Sequence, residues 1–223
     1  MGYRIENKPV DLSGLKKLNF APSTKAGDTY RYRNSALRVF KDGEQPMDQE
    51  TAEYLTGIST ERILLPRKLL FYNNAFKGYT MKLVSQKGSG KKMMTTPKRD
   101  LIECIECLEK DVEVISQKQV LLNGTAPGYT LYNGELYLVN PANYSVLELG
   151  SSEELERLNR FQLHLLLTEL ITGEMRRTNY SQALISRVRE ILKLRDMEES
   201  SSSYLKEVMA GQETIKEFVK KIS

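Results

Sequence analysis

Hydrophobic positions alternate with polar ones along the front of the chain and recur at helical spacing along the back. In DTYRYRNSALRVFKDG two short β-like runs, Thr29–Tyr32 and Ala36–Phe40, flank a turn at Arg33-Asn34-Ser35. MDQETAEYLTGIS then puts Ala52, Leu55 and Ile58 in helical register. ILLPRKLLFYNNAFKGYTMKLV reads as two further strands joined at Asn73-Asn74, a hairpin signal. SQKGSGKKMMTTPKRD is a Gly, Ser and Lys-rich connector, suited to a hinge.

Behind the connector the period changes. Leu101, Ile105, Leu108, Val112 and Ile115 share one face of a helix from about Lys98 to Ile115. VLLNGTAPGYTLYNGELYLVNP reads as a loop, a strand at Tyr129–Tyr132, a turn at Asn133-Gly134 and a strand at Glu135–Val139. In that last strand Leu136 and Leu138 alternate with Tyr137 and Val139. SSEELERLNRFQLHLLLTELI predicts a helix capped by a Ser-x-x-Glu box, from Ser151 to Glu154 or from Ser152 to the next acidic turn, and ended by Gly173. Two more amphipathic stretches follow, NYSQALISRVREILKL and, after a Ser-rich spacer, YLKEVMAGQETIKEFVKKIS. The expected organisation is a β-rich lobe with one helix at 1–84 and a basic hinge at 85–99. A helical lobe with one hairpin follows at 100–199, and a terminal helix at 200–223. The fold class is α+β.

Composition narrows the picture. Forty per cent of the 223 residues are hydrophobic, enough for a sizeable core. No apolar run reaches bilayer-spanning length, and MGYRIENKPVDLSG lacks an apolar signal core, so the expectation is a cytoplasmic protein without a membrane partner. The net charge of +4 is uneven. Residues 1–99 hold 19 Lys and Arg against 9 Asp and Glu, whereas residues 100–223 hold 14 against 20. A basic front half suits a polyanion, though no aromatic-basic motif of a nucleic-acid module accompanies it. Cys104 and Cys107 form a lone C-x-x-C that flanks the apolar face of a predicted helix, which favours half-buried cysteines over half a zinc site. The single histidine, His164, lies in an apolar run and reads as packed or locally satisfied.

The order of elements resembles that of the protein-kinase-like fold, over roughly residues 20–195. The resemblance implies two lobes, a small β-rich N-lobe and a short helical C-lobe, in a divergent, pseudokinase-like member of bacterial type. RVFK resembles the V-A-I-K strand and implies that Lys41 is the phosphate-binding lysine. QETAEYLTGI resembles the helix whose glutamate pairs with that lysine, and periodicity does not choose between Glu50 and Glu53. KGYTMKLV resembles the strand entering the hinge, implying that Met81, Lys82, Leu83 and Val84 line an adenine site.

Other motifs depart from the family. PSTKAGDTYRY offers one glycine, Gly27, where the family's lid uses three, with Lys25 as a substitute charge. KGSGKK lacks the preceding glycine and following Ser or Thr of a Walker loop. Aligned on APGYTLY, the catalytic Asp position holds Gly124, next to Thr125, and the metal-binding Asn position holds Tyr129. Asn140 stands in place of the metal-binding Asp. Magnesium binds through carboxylates and phosphates, so Asn140 is at best a weak metal ligand. Glu135, the nearest acid, lies five residues earlier on a strand and faces the opposite side. The segment between Asn140-Pro141 and the next helix is too short for a protein-substrate platform.

These departures point to a catalytically impaired pseudokinase acting as a regulatory or protein-binding module. ATP is a candidate ligand, Mg²⁺ a doubtful one, and a protein the expected partner. Two alternatives stand beside it. One is an active, divergent ATP-dependent phosphotransferase using Lys41, a helix glutamate and Asn140. The other is a basic adaptor binding a polyanion, with nucleic acid the less favoured form.

Overall fold

Tight turns with left-handed backbones organise the first half of the chain, which is known here from a computed structural model describing residues 2–18, 26–84, 98–122, 128–132, 135–147 and 151–172. β1 (Tyr3–Ile5) and β2 (Lys8–Val10) meet at Glu6-Asn7, with φ of 48° and 63°. β3 (Lys17–Leu18) precedes β4 (Gly27–Tyr32) and β5 (Ser35–Phe40), joined through Arg33 at φ 53°. After α1 (Gln49–Thr56), β6 (Lys68–Tyr72) and β7 (Ala75–Lys82) are joined at Asn73-Asn74, with φ of 49° and 71°. Positive φ at both central residues, as at Glu6-Asn7 and Asn73-Asn74, is the type I′ hairpin turn, whose twist matches the right-handed twist of its strands. The strands form one antiparallel sheet in the order β2-β1-β6-β7-β5-β4-β3.

The two faces of this sheet have different neighbours. Leu37, Val39 and Leu70 point outward and pack with Ile5 and Val10 of the first hairpin. Ala36, Phe40, Tyr79 and Met81 point inward, against Ala52 and Leu55 of α1 and residues of the second lobe. α1 starts at Asp48, whose carboxylate accepts from the Thr51 backbone N–H at 2.7 Å.

The second lobe is built on α2 (Lys98–Gln117) and α3 (Ser152–Thr172). Between them run β8 (Val120–Leu122), β9 (Tyr129–Tyr132), β10 (Glu135–Leu138), a 3-10 turn at Pro141–Asn143 and β11 (Tyr144–Val146). β9 pairs with β10 and β8 with β11, each pair antiparallel. The buried Asn159 of α3 knits the lobe. It donates to Ser116 Oγ (2.9 Å) and the Val120 carbonyl (2.8 Å), and accepts from the Leu122 N–H (2.7 Å).

The lobes meet along residues 61–64. The buried carboxylate of Asp111 accepts the backbone N–H groups of Glu61 (2.9 Å), Arg62 (2.5 Å) and Ile63 (2.8 Å). Ile63 forms a parallel bridge with Leu138, and the Leu64 N–H donates to the Leu138 carbonyl at 2.8 Å. One hydrophobic cluster runs from Ala36 and Phe40 through α1 to Leu108 of α2, Leu136 of β10 and Leu163 of α3.

Most of the predicted elements are present at nearly the predicted bounds. β10 differs in burial: Leu136 and Leu138 enter the main cluster, while Tyr137 and Val139 enter another with Leu64 and Val84. Its alternation therefore separates two buried faces. The basic hinge over 85–97, Lys25, Gly124, Thr125 and the two helical stretches beyond residue 172 lie outside the described residues. No helix among the described residues is long and apolar enough to cross a membrane.

Candidate functional site

The candidate site lies on the inner face of the sheet, the face that packs against α1 and the second lobe. Antiparallel register puts Thr29, Arg38 and Tyr79 directly opposite one another on β4, β5 and β7. Directly opposed residues share a face. All three are buried, at 4, 8 and 1 % exposure. Arg38 is thus the basic side chain that β5 turns to the inner face. Its Nη1 donates to Thr29 Oγ1 at 3.2 Å. Burial pulls the Arg38 guanidinium below its ordinary pKa, with Tyr79 and Asp28 acting against that shift. Burial likewise raises the Tyr79 phenol, and Arg38 opposes the rise.

Gly27 makes room for this arginine. A Cβ there would lie 2.5 Å from the Val39 carbonyl oxygen and 3.2 Å from Arg38 Nε. The one glycine left in the lid motif therefore stands over a protein side chain.

From the other lobe, β11 sends Tyr144 toward the same place. It is 4 % exposed, and its hydroxyl has no hydrogen-bond partner among the described residues. Burial raises the Tyr144 phenol, with Tyr79 and Asp111 raising it further, and Tyr144 and Tyr79 belong to the same hydrophobic cluster.

The residues implied by the resemblance are placed as follows. Lys41 follows the last residue of β5 and is exposed, and its backbone N–H donates to the Ala26 carbonyl at 3.1 Å. It shares strand parity with Val39, which faces outward. Glu50 and Glu53 are exposed on α1, whose buried residues are Ala52 and Leu55. Glu53 accepts from Gln49 Nε2 at 2.8 Å. Among the described residues no ion pair joins Lys41 to either glutamate.

The hinge-side residues are held by packing. Met81 and Leu83 join the main cluster, and Val84 packs with Tyr137 and Val139. Lys82 Nζ sits 5.0 Å from the Tyr137 ring centre. Asn140 is half-buried and caps the 3-10 turn with its backbone, accepting from the Asn143 N–H at 3.1 Å, without a side-chain cap bond. Tyr129 is half-buried against the main cluster.

Glu135 serves a different partner. Arg62 Nη2 donates to its Oε1 at 2.7 Å, and Nη1 lies 2.6 Å from Oε2. The hydrogen bond from Arg62 holds the Glu135 carboxyl below the usual carboxylate range. The Arg62 guanidinium is also 5.0 Å from the Tyr137 ring centre, and the Tyr137 phenol is pushed up to about 12, chiefly by burial. Cys104 and Cys107 are free, the first buried and the second half-buried. His164 is fully buried, with Nε2 3.1 Å from Glu109 Oε1.

The sequence held a signal for Arg38 that the motif match obscured. Ala36-Leu37-Arg38 has the small, aliphatic, basic pattern of the family strand three residues earlier than RVFK. Leu37 and Val39 face out, so Ala36 and Arg38 face in. Asp111 and Asn159 lie at helical spacing from buried Leu108 and Ile115 and from buried Leu155 and Leu163, a polar residue on an apolar face being the signal that the motif match passes over.

No protein-family model matches the chain, and no curated protein matches it in sequence. Solved structures do match. The chain is similar to the crystal structure of Rad53 in complex with AMP-PNP, with a TM-score of 0.61 at 9 % identity, covering 100 % of this chain and 80 % of that one. It is also similar to the PAN3 pseudokinase of Neurospora crassa, with a TM-score of 0.56 at 12 % identity, covering 92 % of this chain and 63 % of that one. The fold is therefore kinase-like: a curled β-sheet lobe joined to a helical one.

Proposed function

We propose that this chain is a kinase-like protein, divergent and of the compact bacterial type, that does not transfer phosphate and acts as a protein-binding regulatory module. The observation that carries the reading is the buried row Thr29–Arg38–Tyr79. Where the resemblance calls for a lysine reaching phosphates and paired with a helix glutamate, an arginine is packed against Gly27 and hydrogen-bonded to Thr29. Arginine is a planar fork with fixed donors and does not substitute freely for a lysine point charge.

The metal side agrees. Asn140 offers a carbonyl oxygen and no charge, while phosphoryl transfer rests on positioning and on charge compensation by metal. The likeness to a pseudokinase supports the reading at the level of fold alone. ATP without Mg²⁺ is the nucleotide state this site would tolerate, weakly.

The test is a thermal shift with ATP, with and without Mg²⁺, alongside release of label from γ-labelled ATP. The expected result is no turnover and no Mg²⁺-dependent stabilisation. Metal-dependent stabilisation together with turnover would falsify the proposal. Asn140→Asp tests the alignment separately: it is expected to confer Mg²⁺-dependent nucleotide binding, and no gain would remove Asn140 from the metal position.

A further inference from the structure

The N-lobe has a concavity on the outward side of the sheet, opposite the Arg38 row. Its volume is about 330 Å³. Lys68, Thr80 and Leu37 are cross-strand neighbours, so the concavity opens on the outward face that Leu37 shares with Val39. It is independent of the Arg38 row and of any reading of the inner face.

Four cations ring it, from three separate parts of the chain. Lys8 comes from the start of β2, Arg33 from the β4–β5 turn, and Arg67 and Lys68 from the entry to β6. The one carboxylate at the rim, Glu6, lies 2.6 Å from Lys68. No carboxylate among the described residues is within ion-pair distance of Lys8, Arg33 or Arg67. Arg33 is braced 5.4 Å over the Tyr32 ring, and Ser35 and Thr80 add hydroxyls to the lining.

A merely solvated basic surface spreads its charges apart or pairs them. Here three cations with no ion-pair partner among the described residues line one concavity, whose backbone is fixed by paired strands and by left-handed turns at Glu6 and Arg33. The first hairpin, β1–β2, supplies part of the wall and is an addition at the β6 edge of the sheet. The volume lies at the small end of the range for small-molecule sites. Arg and Lys together favour phosphate oxygens over a single carboxylate, because they offer forked and point-charge donors at once.

We propose that this outer pocket binds a compact small molecule carrying several phosphate groups. The probe is inorganic tripolyphosphate, titrated calorimetrically into the full chain at low salt, with orthophosphate as comparison. Tripolyphosphate is expected to bind at least about tenfold more tightly than orthophosphate, since it engages several cations at once. Arg33→Ala with Arg67→Ala should weaken binding by roughly 10- to 100-fold. Lys8→Ala, on a different hairpin, should weaken it in the same direction. Lys110→Ala with Lys118→Ala removes the same charge from exposed sites on and just after α2 and should change affinity by less than about threefold. Equal affinity for the two ions, no binding of tripolyphosphate, or equal loss in the two double variants would each overturn the proposal. Circular dichroism of every variant separates lost binding from lost folding.

Discussion

Gly78 shows how closely single residues are constrained here. It lies on β7 with φ of 149°, and a Cβ there would come within 2.0 Å of the Arg38 carbonyl oxygen. Both the backbone and the space exclude a side chain, next to the residue that carries the candidate site. Gly78→Ala is expected to cost roughly 2–5 kcal/mol, through strain and overpacking together. Urea unfolding at unchanged slope would measure it, and a loss under about 1 kcal/mol would contradict the geometry.

Arg38 teaches the converse. Its residue type was visible in the sequence, but its direction followed only from register. Sliding a motif three residues along a strand moves the chosen side chain to the other face. That is why RVFK pointed to Lys41 while the strand turned Arg38 inward.

At the scale of elements, periodicity was legible wherever an element was long enough to repeat. α2 and α3 run close to the predicted spans, and the β4–β5 and β6–β7 hairpins turn where Arg33 and Asn73-Asn74 said they should. The short strands β1, β2, β3, β8 and β11 hold two or three residues each, too few to display an alternation. They exist because a neighbour offers hydrogen bonds. β8 also depends on Asn159, which takes the Leu122 N–H and serves the Val120 carbonyl from α3. Asn159→Ala would leave both backbone groups and Ser116 without that partner, at an expected cost of roughly 2–4 kcal/mol. Hydrogen exchange should then quicken first at Leu122, and unchanged protection there would refute the role given to Asn159.

Across the whole molecule, the segment 61–64 ties the lobes together beside the hydrophobic cluster they share. Asp111 holds three successive N–H groups of that segment, and Leu138 pairs with it from β10. Asp111→Ala strands three buried donors, with an expected loss of roughly 3–5 kcal/mol. If the lobes are coupled there, unfolding should also lose its single transition, and a single sharp transition at full stability would count against the cradle.

Acid should loosen the same junction. The folded Glu135 carboxyl titrates below its ordinary value, so its contribution is present above about pH 4.5, its unfolded range, and is lost as pH falls through the folded pKa. Its side chain is partly exposed, so the effect is small. Between about pH 5 and pH 3 the wild type should lose more stability than Glu135→Gln, and parallel losses would show that Arg62 gains nothing from the charge.

The sequence by itself determined the longer elements, their order and the uneven charge, because period, turn residues and composition are properties of neighbours along the chain; the two-lobed plan came from the resemblance of that order to the kinase-like fold. Tertiary structure alone decided which polar residues became buried partners. Arg38 meets Tyr79, Asp111 meets the 61–63 backbone, and Lys8 meets Arg33 and Arg67 around one concavity, each across long sequence separations. The physical reason is that burial and pairing depend on what lies opposite in space. A residue's type sets what it can bond, and only the packed sheet and helices choose what it does bond.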